Sequence, residues 1–319
     1  MTAKVISFIN MKGGVGKTTL CKEIGYNLAH QHSKQVLLID IDPQINLTQA
    51  VFGYYNFAQS DDIKKKIEKR EVEDAKKRKK VMPKQSKKSL DKNKDKKLEK
   101  IKVSTKSINH LFQGTTVSSS EPSKIIQKLD SSFSIIPGEL GIEFITRNLN
   151  SNQIENGIYD FIRKNELRNQ FDFILIDCPP TYSSYTVAAL KPSDYFIIPV
   201  HPEVYSLLGV DMLLNVVENV VKENDLYFEG KPLRDLGVIF TDIVNSPSKW
   251  TTDFMSDMRN SKKLKQRGVT FFSNSFIHNE AIKKDMSYFI DNSNAKAISK
   301  PNLKDIVTEL LERIDKDAN

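Results

Sequence analysis

The stretch Asn10-Met11-Lys12-Gly13-Gly14-Val15-Gly16-Lys17-Thr18-Thr19 joins an apolar, strand-like run at Lys4–Ile9 to a helical pattern at Thr18–His30. Glycines let backbone N–H groups turn toward an anion, and the start of a helix adds partial positive charge. Lys17 is placed to reach the β- and γ-phosphates of a nucleotide, and the Thr18 hydroxyl to bind Mg²⁺. The stretch therefore predicts a phosphate-binding loop.

This loop differs from the usual pattern of such loops. Glycine is expected five positions before Gly16, where the sequence has Met11, and an additional lysine, Lys12, precedes the two glycines. The residues expected to contact the nucleotide are Lys12, Gly13, Gly14, Val15, Gly16, Lys17, Thr18 and Thr19.

Strand-like runs and helical patterns alternate along the rest of the chain. The further apolar runs are Gln35–Ile41, Phe133–Ile136, Phe171–Ile176, Asp194–Val200, Leu236–Thr241 and Val269–Phe272. Helical spacing of apolar residues is clearest at Val204–Lys222. Alternation of this kind predicts an α/β fold, a mostly parallel twisted sheet flanked by helices, with residues 1–319 forming a single domain.

Carboxylates end two of these runs. Asp40 and Asp42 close one run, and Asp177 closes another. Because ligands bind at the carboxyl ends of parallel strands, Asp177 is expected to hold a magnesium-bound water. The alternative for Asp40 and Asp42 is that they only cap the strand and its turn. Cys178 is expected to be a small buried residue and not a nucleophile.

Charge is concentrated in one segment. The chain of 319 residues has a formal net charge of +8, but residues 61–106 alone carry 20 Lys and Arg against 9 Asp and Glu. The remainder is therefore slightly acidic. Low apolar content and blocks of like charge predict a Lys-rich, flexible insertion at 61–106, either disordered or a solvated helix.

Other sequence features narrow the class of protein and its expected cellular compartment. Two distant cysteines, Cys21 and Cys178, exclude a disulfide framework and fit a reducing cytoplasm. The sequence contains no apolar run long enough to span a bilayer. Its amino-terminal residues enter a strand pattern directly, so no signal peptide is expected.

Several of these motifs together resemble one family. Lys12–Thr19 (KGGVGKTT) resembles the deviant Walker A motif of the ParA/MinD group of P-loop ATPases, and Asp40–Gln44 resembles the family's DxDPQ motif. Cys178–Pro180 is similar to its switch segment, and Asn279–Ile282 to its EA motif. The resemblance covers nearly the whole chain outside 57–106 and is closest to ParA/Soj-type partition ATPases.

The resemblance implies a SIMIBI-type P-loop NTPase fold, with ATP and Mg²⁺ as cofactors. It implies that Lys12 and Lys17 act on the phosphates, Lys12 across a homodimer interface, and that Asp42 positions the attacking water. Thr18, Asp42 and Asp177 would form the metal site, supported by Asp40. Pro199 would border the base, beside His201, where relatives carry glutamine, with Thr241 or Asp242 as a second contact.

The implied function is DNA segregation, of a plasmid or chromosome, by an ATPase that dimerises with ATP. Turnover would be weak until a ParB-like centromere-binding partner stimulates it, and the protein would be cytoplasmic and nucleoid-associated. The alternative is a MinD- or McdA-like ATPase that positions a non-DNA cargo or a membrane site. A metabolic P-loop synthetase is disfavoured, because such enzymes lack the lysine matching Lys12.

Nonspecific DNA contacts have two candidate sources. No arginine lies in Asn274–His278, just before the EA motif, so cations elsewhere are candidates, alongside the insertion, whose charge would attract phosphates without reading bases. The alternatives for the insertion are a tolerated, solvated loop and a surface for a protein partner. These body cations are Lys262, Lys263, Lys265, Arg267, Lys283 and Lys284. The carboxyl-terminal helical pattern has an acidic polar face, so membrane binding is not expected, and we predict that it packs on the body.

Overall fold

The computed structural model describes residues 2–81, 100–112, 121–292 and 298–318. Its strands are β1 (Lys4–Phe8), β2 (Val36–Asp40), β3 (Phe57–Ala58), β4 (Lys102–Val103), β5 (Gln127–Lys128), β6 (Phe133–Ile136), β7 (Phe173–Asp177), β8 (Tyr195–Val200), β9 (Arg234–Ile243) and β10 (Phe276–Ile277). Eight of them form one sheet in the order β10-β9-β8-β1-β7-β2-β6-β5. Within the described residues all neighbours in it are parallel except β5 and β6, which confirms the predicted fold class.

Helices cover both faces of this sheet. They are α1 (Lys17–Gln31), α2 (Asn46–Tyr55), α3 (Asp61–Val81), α4 (Asn109–Phe112), α5 (Pro122–Ile125), α6 (Ile142–Ile145), α7 (Ser151–Lys164), α8 (Leu167–Gln170), α9 (Ser184–Leu190), α10 (Ser206–Glu223), α11 (Asp225–Phe228), α12 (Lys249–Asn260), α13 (Lys262–Gln266), α14 (Glu280–Lys284) and α15 (Ser299–Ala318), with a 3₁₀ turn at Thr146–Asn148. One hydrophobic cluster joins the sheet to α1, α2 and α15, and the other joins it to α7, α9 and α10.

Side-chain alternation along the strands produces these two cores. In β1, Val5 belongs to one cluster and Ile6 to the other, and both are fully buried. A strand covered on both faces needs apolar residues at every position, as the sequence predicted. Helix α1 lies close to the sheet at Gly25, where a Cβ atom would come within 2.7 Å of Leu38. This close approach fixes the helix that begins at the phosphate-binding loop.

One predicted strand is wrong. Val269–Phe272 forms only an isolated bridge, Phe271 with Val238, and β10 at Phe276–Ile277 is the edge strand instead. The segment still runs beside β9, because Val238 N donates to Thr270 O at 2.8 Å and Phe272 N donates to Val238 O at 2.9 Å. The apolar run therefore indicates that this segment is buried beside the sheet, although the segment does not form a continuous strand of that sheet.

The Lys-rich segment 61–106 forms a helix over its first part, α3, and includes strand β4 near its end. Helix α3 begins with Asp61 and Asp62 and carries its densest basic run near its end, so its charges complement the helix dipole. Residues 82–99 lie outside the described part of the chain. The returning strand β4 pairs with β3, and Ile101 and Ser104 are buried, so residues 101–104 belong to the folded body.

The carboxyl-terminal helix packs on the body as predicted. Leu303, Ile306, Val307 and Leu310 of α15 are fully buried against the core that also contains α1. Within the described part of the chain, none of the helices combines the length and apolar character needed to cross a membrane.

Candidate nucleotide site

The glycine-rich loop has the backbone that an anion cradle requires. Gly14 and Gly16 adopt left-handed φ angles of 74° and 86°, which L-residues with a Cβ atom rarely adopt. Gly16 is also the N-cap of α1, immediately before its first residue, Lys17. The partial positive charge of that helix start is therefore directed at the loop, in agreement with the prediction from the sequence.

Two side chains tie the loop to neighbouring strands. Asn10 accepts a hydrogen bond from Lys12 N at 3.0 Å and donates its own amide to Pro199 O at 2.7 Å, at the end of β8. The Thr241 hydroxyl donates to Val15 O at 2.8 Å from β9. A role for Asn10 was not predicted from the sequence, although its place directly between strand and loop was the available signal. Thr241, one of the two residues expected to contact the base, also holds the loop.

Lys17 lies inside the loop and is 6% exposed. Its ammonium group donates to the carbonyl oxygen of Lys12 at 3.0 Å. Burial lowers the pKa of Lys17, and the nearby carboxylates, Asp177 foremost, oppose that shift. A buried cation held by one carbonyl at the mouth of an anion cradle is well placed to bind phosphate oxygens.

The loop meets the end of β7 through Thr18. Its hydroxyl donates to Asp177 Oδ2 at 2.7 Å, while Asp177 Oδ1 is buried without a hydrogen-bond partner. Burial, reinforced by the charge of Asp40 on the adjacent strand, raises the pKa of Asp177 well above its usual range. A bare carboxylate oxygen beside a hydroxyl suits a hard divalent cation such as Mg²⁺.

Asp40 and Asp42 have different surroundings. Asp40 is fully buried, and its Oδ2 accepts hydrogen bonds from Thr48 N at 2.8 Å and Thr48 Oγ1 at 2.6 Å. Gly138 N donates to the same hydroxyl at 2.8 Å. Asp40 therefore anchors α2 and the end of β6, so the capping alternative describes it better than a ligand role.

Asp42 lies at the mouth of the site. Its Oδ1 accepts from Gln44 N at 2.9 Å, and its backbone N–H donates to Asp40 Oδ1 at 3.3 Å. Burial raises the pKa of Asp42, opposed by the Gln44 N–H and the charge of Lys17. Asp42, Asp177 and Lys17 are thus brought together. The described residues contain no cluster of three or more His, Cys, Asp or Glu side chains that could hold a metal alone.

Lys12 projects away from these buried groups. Its side chain is 44% exposed and forms an ion pair with Glu203, just after β8. Glu203 also lies 3.8 Å from His201 Nε2, and the pKa of Glu203 is lowered chiefly by its hydrogen bond from Lys12. The lysine that distinguishes this loop is therefore held by an exposed carboxylate and not by its own phosphate cradle.

Comparison with known proteins identifies the family. Residues 3–228 match the AAA domain family. Sporulation initiation inhibitor protein Soj of Bacillus subtilis is 30% identical over 230 residues, covering 71% of this chain and 70% of Soj. The virulence plasmid ParA family protein pGP5-D of Chlamydia psittaci is 24% identical over 267 residues, covering 83% of this chain and 80% of that protein.

This chain belongs to the ParA/Soj family of partition ATPases. It is a ParA-family positioning ATPase built on a P-loop. The structure of apo McdA from Cyanothece shares the fold, with a TM-score of 0.67 at 19% identity, covering 98% of this chain and 99% of McdA. The fold and the family expected from the sequence are confirmed.

In this ParA/Soj-family chain a cavity adjoins the loop on its outer side. It measures about 110 Å³ and is lined by Gly14, Gly16 and Thr19, by Thr241 and Asp242 of β9, and by residues of β10 and of α14 with its N-cap. Asp242, on its rim, binds His278 Nδ1 at 2.6 Å and Lys283 Nζ at 3.0 Å. Asp242 is thus bound by a residue just before α14 and by a residue within it.

Proposed function

We propose that this ParA/Soj-family chain is a Mg²⁺- and ATP-dependent ATPase that dimerises to segregate DNA, with a plasmid or chromosome as cargo. The observation that carries the proposal is the position of Lys12. A lysine that belongs to the phosphate loop but points outward is placed to act on a nucleotide held by a second copy. Its counterpart, Lys17, would serve the nucleotide of its own subunit.

The residues present fit ATP and magnesium. The partnerless Oδ1 of Asp177 and the Thr18 hydroxyl would hold the metal, and the loop amides of Gly13 to Thr19 the phosphates. Magnesium, when bound, neutralises phosphate charge and orients the phosphate oxygens. Asp42 would orient the attacking water, and the loop cavity beside Gly16 and Thr19 would take the base, with Pro199 at its border.

Exposed apolar side chains support a second copy over the site. They follow β6, β7 and β8, whose carboxyl ends share the edge that carries the phosphate loop. They are Leu140 (69% exposed), Phe144 (72%), Tyr182 (49%), Val204 (68%) and Tyr205 (76%). Large apolar groups around a charged mouth are typical of protein interfaces, so dimerisation would bury them and exclude water from the phosphates.

The remaining steps follow from the family. The ATP-bound dimer would bind nonspecific DNA of the nucleoid in the cytoplasm, and a ParB-like centromere-binding protein would stimulate hydrolysis and release it. Turnover by the chain alone would be weak, because its partner must complete the site. The virulence plasmid ParA family protein is the relative described above whose name supports a plasmid as cargo.

The proposal is tested by ATP turnover together with molar mass in solution. Lys17→Ala and Asp42→Ala should abolish turnover. Lys12→Ala should stay monomeric by light scattering with ATP, whereas the wild type should double its mass. A Lys12 variant that hydrolyses ATP normally and still dimerises would contradict the sandwich arrangement. ATP-dependent binding to anionic vesicles, with none to DNA, would favour the McdA- or MinD-like alternative.

A further inference from the structure

The body of the protein neutralises three of the six cations that its sequence offers for DNA. Lys263 pairs with Asp211 at 2.7 Å, and Arg267 binds the same carboxylate at 3.0 Å. Lys283 pairs with Asp242 at 3.0 Å. Each of these charges therefore already has a counter-charge, and a phosphate would have to compete with a carboxylate to reach it.

Helix α3 has the opposite character. Five cations occupy its first ten residues, none of them is buried, and none forms an ion pair with any residue that the structure describes: Lys64, Lys65, Lys66, Lys69 and Arg70. Two of its apolar side chains are also exposed, Ile63 by 40% and Val72 by 50%, while Ile67 is half-buried. The part of α3 whose side chains are described is a solvated, cationic helix.

The attachment of α3 places it at the edge of the sheet that holds the nucleotide. The ribbon of β3 and β4 closes the insertion, and Gln59, just before α3, donates to Gly138 O at 2.8 Å. Gly138 N in turn donates to the Thr48 hydroxyl that binds Asp40. A hydrogen-bonded chain thus runs from the root of the helix to the carboxylate beside Asp42.

The helix is long enough to present its charge well beyond that root. Its 21 residues span about 31 Å at 1.5 Å per residue. The sequence adds a second basic run, Lys76-Lys77-Arg78-Lys79-Lys80, within the same helix. A basic helix of this length is long enough to lie beside several phosphates of duplex DNA, which carries about one negative charge per 1.7 Å of its axis.

We propose that α3 is the DNA-binding arm of this ATPase, whose cations neutralise phosphates of duplex DNA without reading base edges. That DNA is the cargo rests on the proposed function, and the assignment adds the surface that would hold the DNA. An anionic membrane fits α3 less well than DNA does. A helix that binds at a membrane interface needs a continuous bulky apolar face, and α3 lacks Trp, Phe and Leu.

The test compares two variants that each remove five positive charges as glutamine. The arm variant is K64Q/K65Q/K66Q/K69Q/R70Q, and glutamine keeps its helix propensity. The control changes five exposed lysines of the body that the sequence did not offer as DNA contacts: K128Q/K222Q/K249Q/K304Q/K316Q. Because none of the ten side chains is buried, both variants should unfold at the wild-type temperature.

Binding of each full-length variant to a random-sequence duplex is measured with ATP across a salt series. The arm variant should bind at least about tenfold more weakly, with a log–log salt slope shallower by about 0.9 per lost phosphate contact. The control should stay within about twofold of the wild type, because its cations would not touch phosphates. An arm variant that binds DNA as tightly as the control would overturn the assignment.

The two proposals fail in different ways. A wild-type chain that binds DNA only with ATP, combined with an unaffected arm variant, would refute the arm and leave the proposed function standing. A wild-type chain whose DNA binding ignores ATP but is lost in the arm variant would refute the function and keep the arm. Loss of anionic-vesicle binding in the arm variant, with DNA binding intact, would identify a membrane and overturn the assignment.

Discussion

The hydroxyl of Thr18 donates to Oδ2 of Asp177 at 2.7 Å, joining the first residues of α1 to the end of β7. The residues are 159 positions apart in the chain, and the contact leaves Oδ1 of the same carboxylate buried without a partner. The protein thus keeps a costly, uncompensated oxygen at its phosphate loop. Such a cost is expected where a ligand supplies the missing partner.

Replacing Asp177 should separate stability from function. Asp177→Asn keeps the shape but removes a charge that burial disfavours, so the ligand-free protein should melt roughly 2 °C or more above the wild type. Magnesium-dependent ATP turnover should fall by at least about 100-fold, since the metal loses its anionic ligand. Calorimetry and a phosphate-release assay measure the two effects. A variant that is both less stable and fully active would refute this role.

Thr48 should be required for the carboxylate pair to hold its geometry. Thr48→Val removes the hydroxyl that donates to Asp40 and accepts from Gly138 N, so the buried Gly138 N–H loses its acceptor and Asp40 Oδ2 keeps only the Thr48 N–H. We expect a loss of about 1–3 kcal/mol in the free energy of unfolding. Thr48→Ser keeps the hydroxyl and is the matched control. Equal losses in both variants by urea denaturation would point to packing instead of hydrogen bonding.

The Lys12–Glu203 ion pair should oppose dimerisation. Freeing Lys12 by Glu203→Gln removes a contact that must break before the lysine can reach another nucleotide. Exposed pairs contribute at most about 1 kcal/mol, so ATP-dependent dimers should form up to about fivefold more tightly. Analytical ultracentrifugation with ATP measures the change, with Glu229→Gln as a control at an exposed site. Weaker dimers in Glu203→Gln would mean that Glu203 belongs to the interface.

His278 gives the region after β9 a pH-dependent stability. Its Nδ1 lies 2.6 Å from Asp242 and its Nε2 2.9 Å from Glu280, so both ring nitrogens donate only when the imidazole is charged. Glu280 and then Asp242 raise the pKa of His278 above its ordinary 6.5. The stabilisation is therefore complete below pH 6.5 and disappears as pH rises through the higher pKa of the folded state.

His278→Gln should accordingly destabilise the protein more in acid than in base. At pH 6 the loss in unfolding free energy should reach at most about 1 kcal/mol, the range of exposed ion pairs, and at pH 9 it should be smaller. Urea denaturation at the two pH values measures this difference. An equal loss at both would show that the ring contributes through packing alone.

Some features of this fold could be predicted from the sequence because they depend on the conformational preferences and polarity of neighbouring residues. The loop at Lys12–Thr19 needs glycine at the positions whose φ is positive, and the strand ending in Asp177 needs apolar residues on both faces. Helix α3 shows that amino-acid composition alone does not decide between a helix and a disordered segment. Its content of lysine suggested disorder as readily as helix, whereas the order of its charges along the axis favours helix.

Long-range partners could not be predicted in the same way. Nothing near Asp40 in the sequence indicates that Gly138 would share its Thr48 hydroxyl, because that contact depends on the packing of β6 against β2. The same holds for Asn10 with Pro199, and for the Thr241 hydroxyl, which donates to the carbonyl of Val15 in the loop. The run Val269–Phe272 was apolar enough for a strand, yet only Phe271 forms a bridge, since β9 is shared with β10.

ATP-dependent retention on nonspecific duplex DNA tests the central claim most directly. The purified full-length chain is applied to immobilised random-sequence DNA with ATP, with ADP, or without nucleotide, and Lys17→Ala is applied in parallel. The account predicts retention of the wild type with ATP alone and none of Lys17→Ala under any condition. Retention that is equal with ATP, with ADP and without nucleotide, or equal for Lys17→Ala, would contradict it.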